Sequence, residues 1–270
     1  MNGGFLDEEG KQDTKLDPSP DAVIGDIKRV REQISMSEYP ALPLYFTEWS
    51  TSYTPRDLVH DSYISAPYIL TKLKASQGLA QGMSYWVYSD LFEEPGPPST
   101  PFHGGFGLMT KDGIRKPAWF AYRYLAALGG QSVAVNDPQS WVTTDGAGAT
   151  ALIWDFQQPV QPVSNKPFYS RLVPNVASQP LRLSVKGLKQ GRYRATIYRT
   201  GYKANDAYSA YIEMGSPAAL SQSQLAQLHD ATRDPAERNE VINVGADGAA
   251  VLTVPMHSND IVLVKLLPGK

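Results

Sequence analysis

The sequence predicts an α/β region over residues 1–129 followed by an all-β region over residues 130–270, and three features lead there. The first region alternates helix, strand, helix, strand, helix, an order that makes the strands parallel and the helices their crossovers. From Gly129-Gly130 onward the apolar period changes from helical to alternating. The separators there are Asp145-Gly146, Lys186-Gly187, Gln190-Gly191 and Ala246-Asp247-Gly248, the turn chemistry of antiparallel hairpins. An antiparallel β-sandwich is the expected result.

Taken in order, residues 1–18 are polar and Gly-rich and read as a loop. Ser19-Pro20-Asp21 supplies an N-cap, a Pro for the first helical position and an acid for the first turn. Val23, Ile27, Val30 and Ile34 then draw one apolar stripe, the mark of a helix of about four turns. Leu44-Tyr45-Phe46-Thr47-Glu48-Trp49, entered from Pro43, is short, apolar and aromatic, and predicts a buried strand of a parallel sheet over 43–48. Asp61 to Gln77 carries Ile64, Tyr68, Ile69 and Leu73 on overlapping helical faces. Pro67 removes a donor there, so this helix should begin late or kink, and Gly78 should stop it. Ala80 to Tyr88 predicts a second buried strand ending in Ser89-Asp90. A Pro/Gly-rich loop, Glu93 to Arg115, leads to a helix over Trp119–Leu128 that Gly129-Gly130 terminates.

In the second region strands are expected at Ser132–Val135, Trp141–Thr144, Ala149–Phe156, Leu181–Leu188, Tyr193–Thr200, Ala207–Met214, Val241–Val244, Ala250–Val254 and Ile261–Leu266, with a helix at Gln222–Thr232. A closed (β/α)8 barrel takes roughly 250 residues and eight strands. Residues 1–129 offer two, so any barrel here is a partial one.

With 25 basic and 27 acidic residues in no long block, nothing favours nucleic acid or an anionic membrane as partner. No apolar stretch approaches the roughly 18 residues of a membrane span, and Met1–Phe5 has neither the basic nor the apolar part of a secretory signal. The absence of Cys excludes disulfides, thiolate catalysis and Cys-ligated zinc, and fixes no compartment. His60, His103, His229 and His257 lack the spacing of a metal site, and no cofactor is expected. There is no phosphate-binding Gly-Lys-Ser/Thr loop, no Gly-x-Gly-x-x-Gly and no Gly-x-Ser-x-Gly; His103-Gly104-Gly105-Phe106-Gly107 reads as a loop. Carboxylate chemistry remains. Glu48 sits at the carboxyl end of a strand, where barrel enzymes build their sites, although a strand-terminal Glu turned to solvent fits the local pattern too.

Three segments in order closely resemble the β-xylosidases of glycoside hydrolase family 39: Thr47-Glu48-Trp49-Ser50-Thr51-Ser52-Tyr53, Ser84-Tyr85-Trp86-Val87-Tyr88-Ser89-Asp90-Leu91-Phe92-Glu93-Glu94, and Pro101-Phe102-His103-Gly104-Gly105-Phe106-Gly107-Leu108. The match runs on through Arg115-Lys116-Pro117-Ala118-Trp119-Phe120-Ala121-Tyr122, and the region after it resembles that family's accessory sandwich. The resemblance implies the carboxyl-terminal part of a (β/α)8 barrel, strands seven and eight, followed by the sandwich. It implies a retaining mechanism on xylosides or xylo-oligosaccharides with Glu48 as nucleophile. Trp86 becomes a platform under the sugar, Glu94 a ligand of sugar hydroxyls, Tyr53 a phenol donor to nucleophile or sugar, and His103 a residue of a loop bordering the site. Asp90 is expected to cap its turn.

The chain departs from the family where the acid/base should be. That residue is a Glu in Asn-Glu-Pro after strand four, and no such tripeptide occurs; Asn239-Glu240-Val241, in the sandwich region, is the nearest string. The chain is therefore expected to start in the loop after strand six and to be inactive alone, with a separately encoded amino-terminal barrel half as one candidate partner. Two rivals stand beside this reading. One is a non-catalytic carbohydrate-binding or interaction module built on the sandwich. The other is an iduronidase-like activity on carboxylated sugars, for which Lys111, Arg115 or Lys116 would be the nearby cations.

Overall fold

The computed structural model describes residues 3–6, 12–91 and 96–269. It is a mixed α/β chain with several sheets. Residues expected to form a leading loop pair instead as an antiparallel hairpin of β1 (Gly3–Leu6) and β2 (Gln12–Lys15). No apolar alternation marks β2 (Gln-Asp-Thr-Lys), so pattern reading misses it. Its far end is anchored by side chains: Thr14 donates to Asp57 at 2.9 Å, and Leu16 is buried.

Helix α1 (Ile24–Ser35) begins later than Ser19-Pro20-Asp21 suggests. Ala22 N–H bonds Ser19 O at 3.1 Å, a turn that Ser19 initiates before the helix, and Val23 (φ 70°) lies between the two. Ile27 is buried while Val30 and Ile34 are half-buried, so the stripe is covered mainly at its start.

Strands β3 (Tyr45–Trp49) and β4 (Gly82–Tyr85) are parallel, in register Tyr45↔Gly82 and Phe46↔Met83, and joined through helix α2 (Ser65–Ala75). The pairing is as expected, but the burial is not. Tyr45, Thr47 and Glu48 are exposed, Phe46 is half-buried and only Trp49 is buried; in β4, Ser84 is exposed and its neighbours half-buried. Among the described residues β3 bonds only to β4, so one edge and much of one face have no neighbour to cover them. Helix α2 starts at Ser65, which places Pro67 in the first turn, where its missing N–H costs no helical bond. Helix α3 (Pro117–Ala126) has Pro117 at its start.

The chain then crosses into a six-stranded antiparallel sheet, and Gly130 is required at the crossing: its φ is +70° and a Cβ there would lie 2.2 Å from Thr144 O. The strands are β5 (Gln131–Val133), β6 (Ser140–Thr144), β7 (Ala149–Trp154), β9 (Gly191–Thr200), β10 (Arg238–Val244) and β12 (Ile261–Pro268), in the order β10-β9-β12-β7-β6-β5. Strands β8 (Ala177–Val185) and β11 (Ala250–His257) form a separate antiparallel ribbon. Alternate residues of the sheet, Ile153, Ala195, Ile197, Val262 and Val264, pack against Leu252 and Val254 of the ribbon. Its opposite face carries Leu152, Trp154, Ile261 and Leu263, which share one core with Tyr68, Ile69 and Leu70 of α2 and Phe120 and Tyr124 of α3. Trp154 Nε1 donates to Thr71 Oγ1 at 2.9 Å across that junction. The core is therefore continuous across position 129/130.

One expected strand is a helix. Ala207–Met214 forms α5 (Ala207–Glu213), following the short α4 (Asn165–Tyr169). Tyr and Ile favour strands, but Tyr208 and Tyr211 sit three apart and are buried together, and the Asp206 carboxylate caps Ser209 N–H. Helix α6 (Gln222–Asp230) opens with a capping box between Ser221 and Gln224, where a helix is expected. Among the described residues no helix is long and apolar enough to cross a membrane.

Candidate active site

Because β3 and β4 are parallel, the segments after them emerge at the same end. Trp86 N–H, just past β4, donates to Trp49 O at 2.9 Å, which holds the two strand ends together. Beyond them lies a cavity of about 320 Å³ whose lining includes Glu48, Tyr53 and Trp86, with Phe46, Met83 and Phe106 supplying apolar surface. Ile27 and Asp26 of α1 contribute a further side. Glu48 is exposed and, among the described residues, its side chain has no hydrogen bond or ion pair. Asp26, the other carboxylate of the lining, is engaged by Arg29 at 2.5 Å. Beneath the strand ends, Trp49 meets Tyr85 edge-on at 6.0 Å between ring centres, and Tyr85 meets Tyr122 at 5.7 Å. Burial pushes the Tyr85 phenol up to about 12, so it stays protonated and uncharged.

Of the five site residues expected from sequence, the fold brings Glu48, Tyr53 and Trp86 to one cavity. His103 is buried and is not among the described residues lining it. Glu94 lies outside the described residues. The Trp86–Val87 peptide is cis.

The loop after β4 is held from behind by a cluster of ions that sequence reading did not assemble. Lys116 Nζ lies 2.7 Å from both Asp61 Oδ1 and Asp90 Oδ2, with all three side chains fully buried. Burial alone would push the Lys116 ammonium down, but the two carboxylates outweigh it and hold the group well above the usual lysine range. Asp90 thus binds a loop amide, Gly107 N–H at 2.7 Å, and a lysine, where capping of its own turn is expected. His60, also fully buried, contacts Gly104 O through Nδ1 at 2.8 Å and the Ser52 backbone through Nε2, and its ring packs on Phe106 at 4.8 Å. No metal-holding group of three His, Cys, Asp or Glu occurs among the described residues. From sequence Phe106 belongs only to the His103–Gly107 loop, and no spacing points to His60, Asp61 or Lys116 as neighbours of the site.

Comparison with known proteins adds the family. A model described as glycosyl hydrolases family 39 matches residues 17–249. A curated protein named β-xylosidase from Caldicellulosiruptor saccharolyticus is 32% identical over 202 residues, 74% of this chain and 39% of that protein. Among solved structures, a family 39 enzyme from Xanthomonas axonopodis pv. citri is 61% identical with a TM-score of 0.96 over 99% of this chain and 53% of that one. A monomeric β-xylosidase from Caulobacter crescentus CB15 is 55% identical with a TM-score of 0.95, over 100% of this chain and 54% of that one. The chain thus spans about half the length of the solved chains it matches.

Proposed function

Since the chain belongs to glycosyl hydrolases family 39, we propose that it is the carboxyl-terminal portion of a retaining β-xylosidase in which Glu48 is the nucleophile. The observation that carries this reading is the convergence of Glu48, Tyr53 and Trp86 on one cavity at the carboxyl ends of two parallel strands. On this reading β3 and β4 are strands seven and eight of a (β/α)8 barrel, residues 1–129 are its partial catalytic unit, and residues 130–270 are a β-sandwich accessory unit. The exposed edge of β3 is where further barrel strands belong, supplied by a longer polypeptide or by a separately encoded half.

The chemistry follows from the groups present. An exposed, unpaired carboxylate has its lone pairs available to attack an anomeric carbon and form a glycosyl-enzyme ester. The indole of Trp86 offers a flat apolar face to the pyranose C–H groups, and the Tyr53 phenol can donate to Glu48 or to a sugar hydroxyl. Glu94 remains a proposed acceptor for sugar hydroxyls and His103 a proposed border of the site. Retention also needs a second carboxyl group about 5–5.5 Å from the first, to protonate the leaving oxygen. Asp26 is tied to Arg29, and the sequence contains no Asn-Glu-Pro. Loss of a general acid typically removes about 10²- to 10⁴-fold in rate, so the 270-residue chain alone is expected to turn over no aryl β-xyloside. An activated 2-fluoroxyloside, whose leaving group needs no proton, should still label Glu48 slowly, as read by peptide mass spectrometry and abolished in Glu48→Gln. A label on another residue overturns the assignment of Glu48. Brisk aryl-xyloside turnover by the chain alone, lost in Glu48→Ala, overturns the missing acid.

The rivals have less support. No Lys or Arg is among the described residues lining the cavity, Lys116 is fully buried between two aspartates, and Arg115 lies over Trp119, an arrangement that favours a neutral sugar over a carboxylated one. A free binding module of residues 130–270 would expose the sheet face that now packs on α2 and α3.

A further inference from the structure

The geometry points to Asp61, Lys116 and Asp90 as a positioning unit that sets the Phe106–Trp86 wall of the cavity, a role that rests on reading that cavity as the sugar site. Lys116 Nζ donates to Gly105 O at 2.9 Å and is ion-paired with Asp61 Oδ1 and Asp90 Oδ2 at 2.7 Å each. The remaining carboxylate oxygens reach the same loop. Asp61 Oδ2 accepts Gly104 N–H at 2.6 Å and Asp90 Oδ1 accepts Gly107 N–H at 2.7 Å. Backbone groups of residues 104, 105 and 107 are therefore fixed by one buried cluster, and Phe106 is the residue bracketed between them.

Phe106 in turn reaches both the cavity and Trp86. Its ring lines the cavity, and its carbonyl accepts Val87 N–H at 3.1 Å, while Leu108 N–H donates to Val87 O at 2.9 Å. The residue next to Trp86 is thus held by the strip that the ion cluster holds. The loop is shaped to come this close: a Cβ on Gly107 would lie 2.4 Å from Asp90 N, and one on Gly104 2.4 Å from Asp57 C. A well-packed apolar group would stabilise an interior as well as a buried ion cluster does. Directed charge-assisted bonds to three points of a loop add geometry.

The test uses the 270-residue chain carrying 4-fluorophenylalanine, with the Phe106 signal among the eight Phe residues assigned by Phe106→Leu and followed by fluorine NMR. Lys116→Met strips both aspartates of their partner at once, so the variant is Asp90→Asn, which preserves shape and one acceptor. Leu252→Ala, in the ribbon core, serves as a destabilised control. Asp90→Asn is expected to split or several-fold broaden the Phe106 signal, while Leu252→Ala lowers the melting temperature at least as much and leaves that signal unchanged. A Phe106 signal as sharp in Asp90→Asn as in the parent, or equally broadened in the control, overturns the positioning role. Added xylobiose should shift the Phe106 signal of the parent chain. Failure of that shift alone counts against the sugar site, and the comparison of variants still decides the positioning role.

Discussion

Replacing Lys116 by Met removes the centre of the buried ion cluster and tests whether it behaves as an interior charge network. Asp61 and Asp90 are fully buried and each loses a partner at 2.7 Å, while Gly105 O loses its donor. Removing one member of a buried pair costs about 3–5 kcal/mol, because the other charge is left uncompensated. A loss of about 4 kcal/mol, within that range, is expected. At this chain length each kcal/mol moves the melting temperature by about 2–4 °C, which gives a fall of roughly 8–16 °C. Urea denaturation of Lys116→Met should show this deficit as a lower midpoint at unchanged slope. Adding Asp61→Asn and Asp90→Asn, which removes the stranded charge, should recover part of it. A loss under about 1 kcal/mol, the size of a solvent-exposed pair, or no recovery in the triple variant, would refute the reasoning.

Two further outcomes are expected. Burial holds the Asp206 carboxyl above its ordinary range while it caps α5. Its folded pKa exceeds the unfolded one, so it contributes stability at acid pH that is lost as pH rises through the folded value. Asp206→Asn should flatten that slope: the stability of the parent relative to the variant should grow as pH falls from about 7 to about 4, and equal slopes in urea melts would contradict it. Gly130→Ala must hold φ +70° with a Cβ 2.2 Å from Thr144 O and should cost about 1–3 kcal/mol in calorimetry. Gly129→Ala, with no atom within 4 Å of the added Cβ, should be close to neutral.

The sequence made much of the second region legible because there the apolar period and the turn chemistry agree. Tyr193, Ala195 and Ile197 alternate inward along β9, and Asp145-Gly146 closes the β6–β7 hairpin, whereas Lys186-Gly187, Gln190-Gly191 and Asp247-Gly248 turn the chain between the sheet and the ribbon instead of closing hairpins. Where the two signals part, reading fails. α5 has strand-favouring side chains at helical spacing, and β2 has no apolar residue within it. That Glu48 and Trp86 come to one cavity was legible because Glu48 is the penultimate residue of β3 and Trp86 follows β4 directly. The support behind them was not. Asp61, Asp90 and Lys116 are far apart in sequence and of types that are almost never fully buried unless paired, so only the fold reveals that they pair.

The aromatic run of β3 illustrates what such a pattern encodes. Leu44–Trp49 has the composition of a strand covered on both faces, yet Tyr45, Thr47 and Glu48 are exposed and the strand has β4 alone beside it among the described residues. Composition records the surroundings a strand is suited to, and exposure records those it has. The same discrepancy bears on Glu48. A carboxylate open to water is solvated and surrounded by high dielectric, so the attack proposed for Glu48 would gain nothing from its surroundings. A cover over the free side of β3 would remove that water, strengthen polar contacts within the cavity, and could carry the second carboxyl group that the proposed mechanism requires. On the proposed reading of Glu48 as nucleophile, the exposed strand and the unpartnered carboxylate are thus one feature, and whatever buries Tyr45 and Thr47 should also be what makes Glu48 reactive.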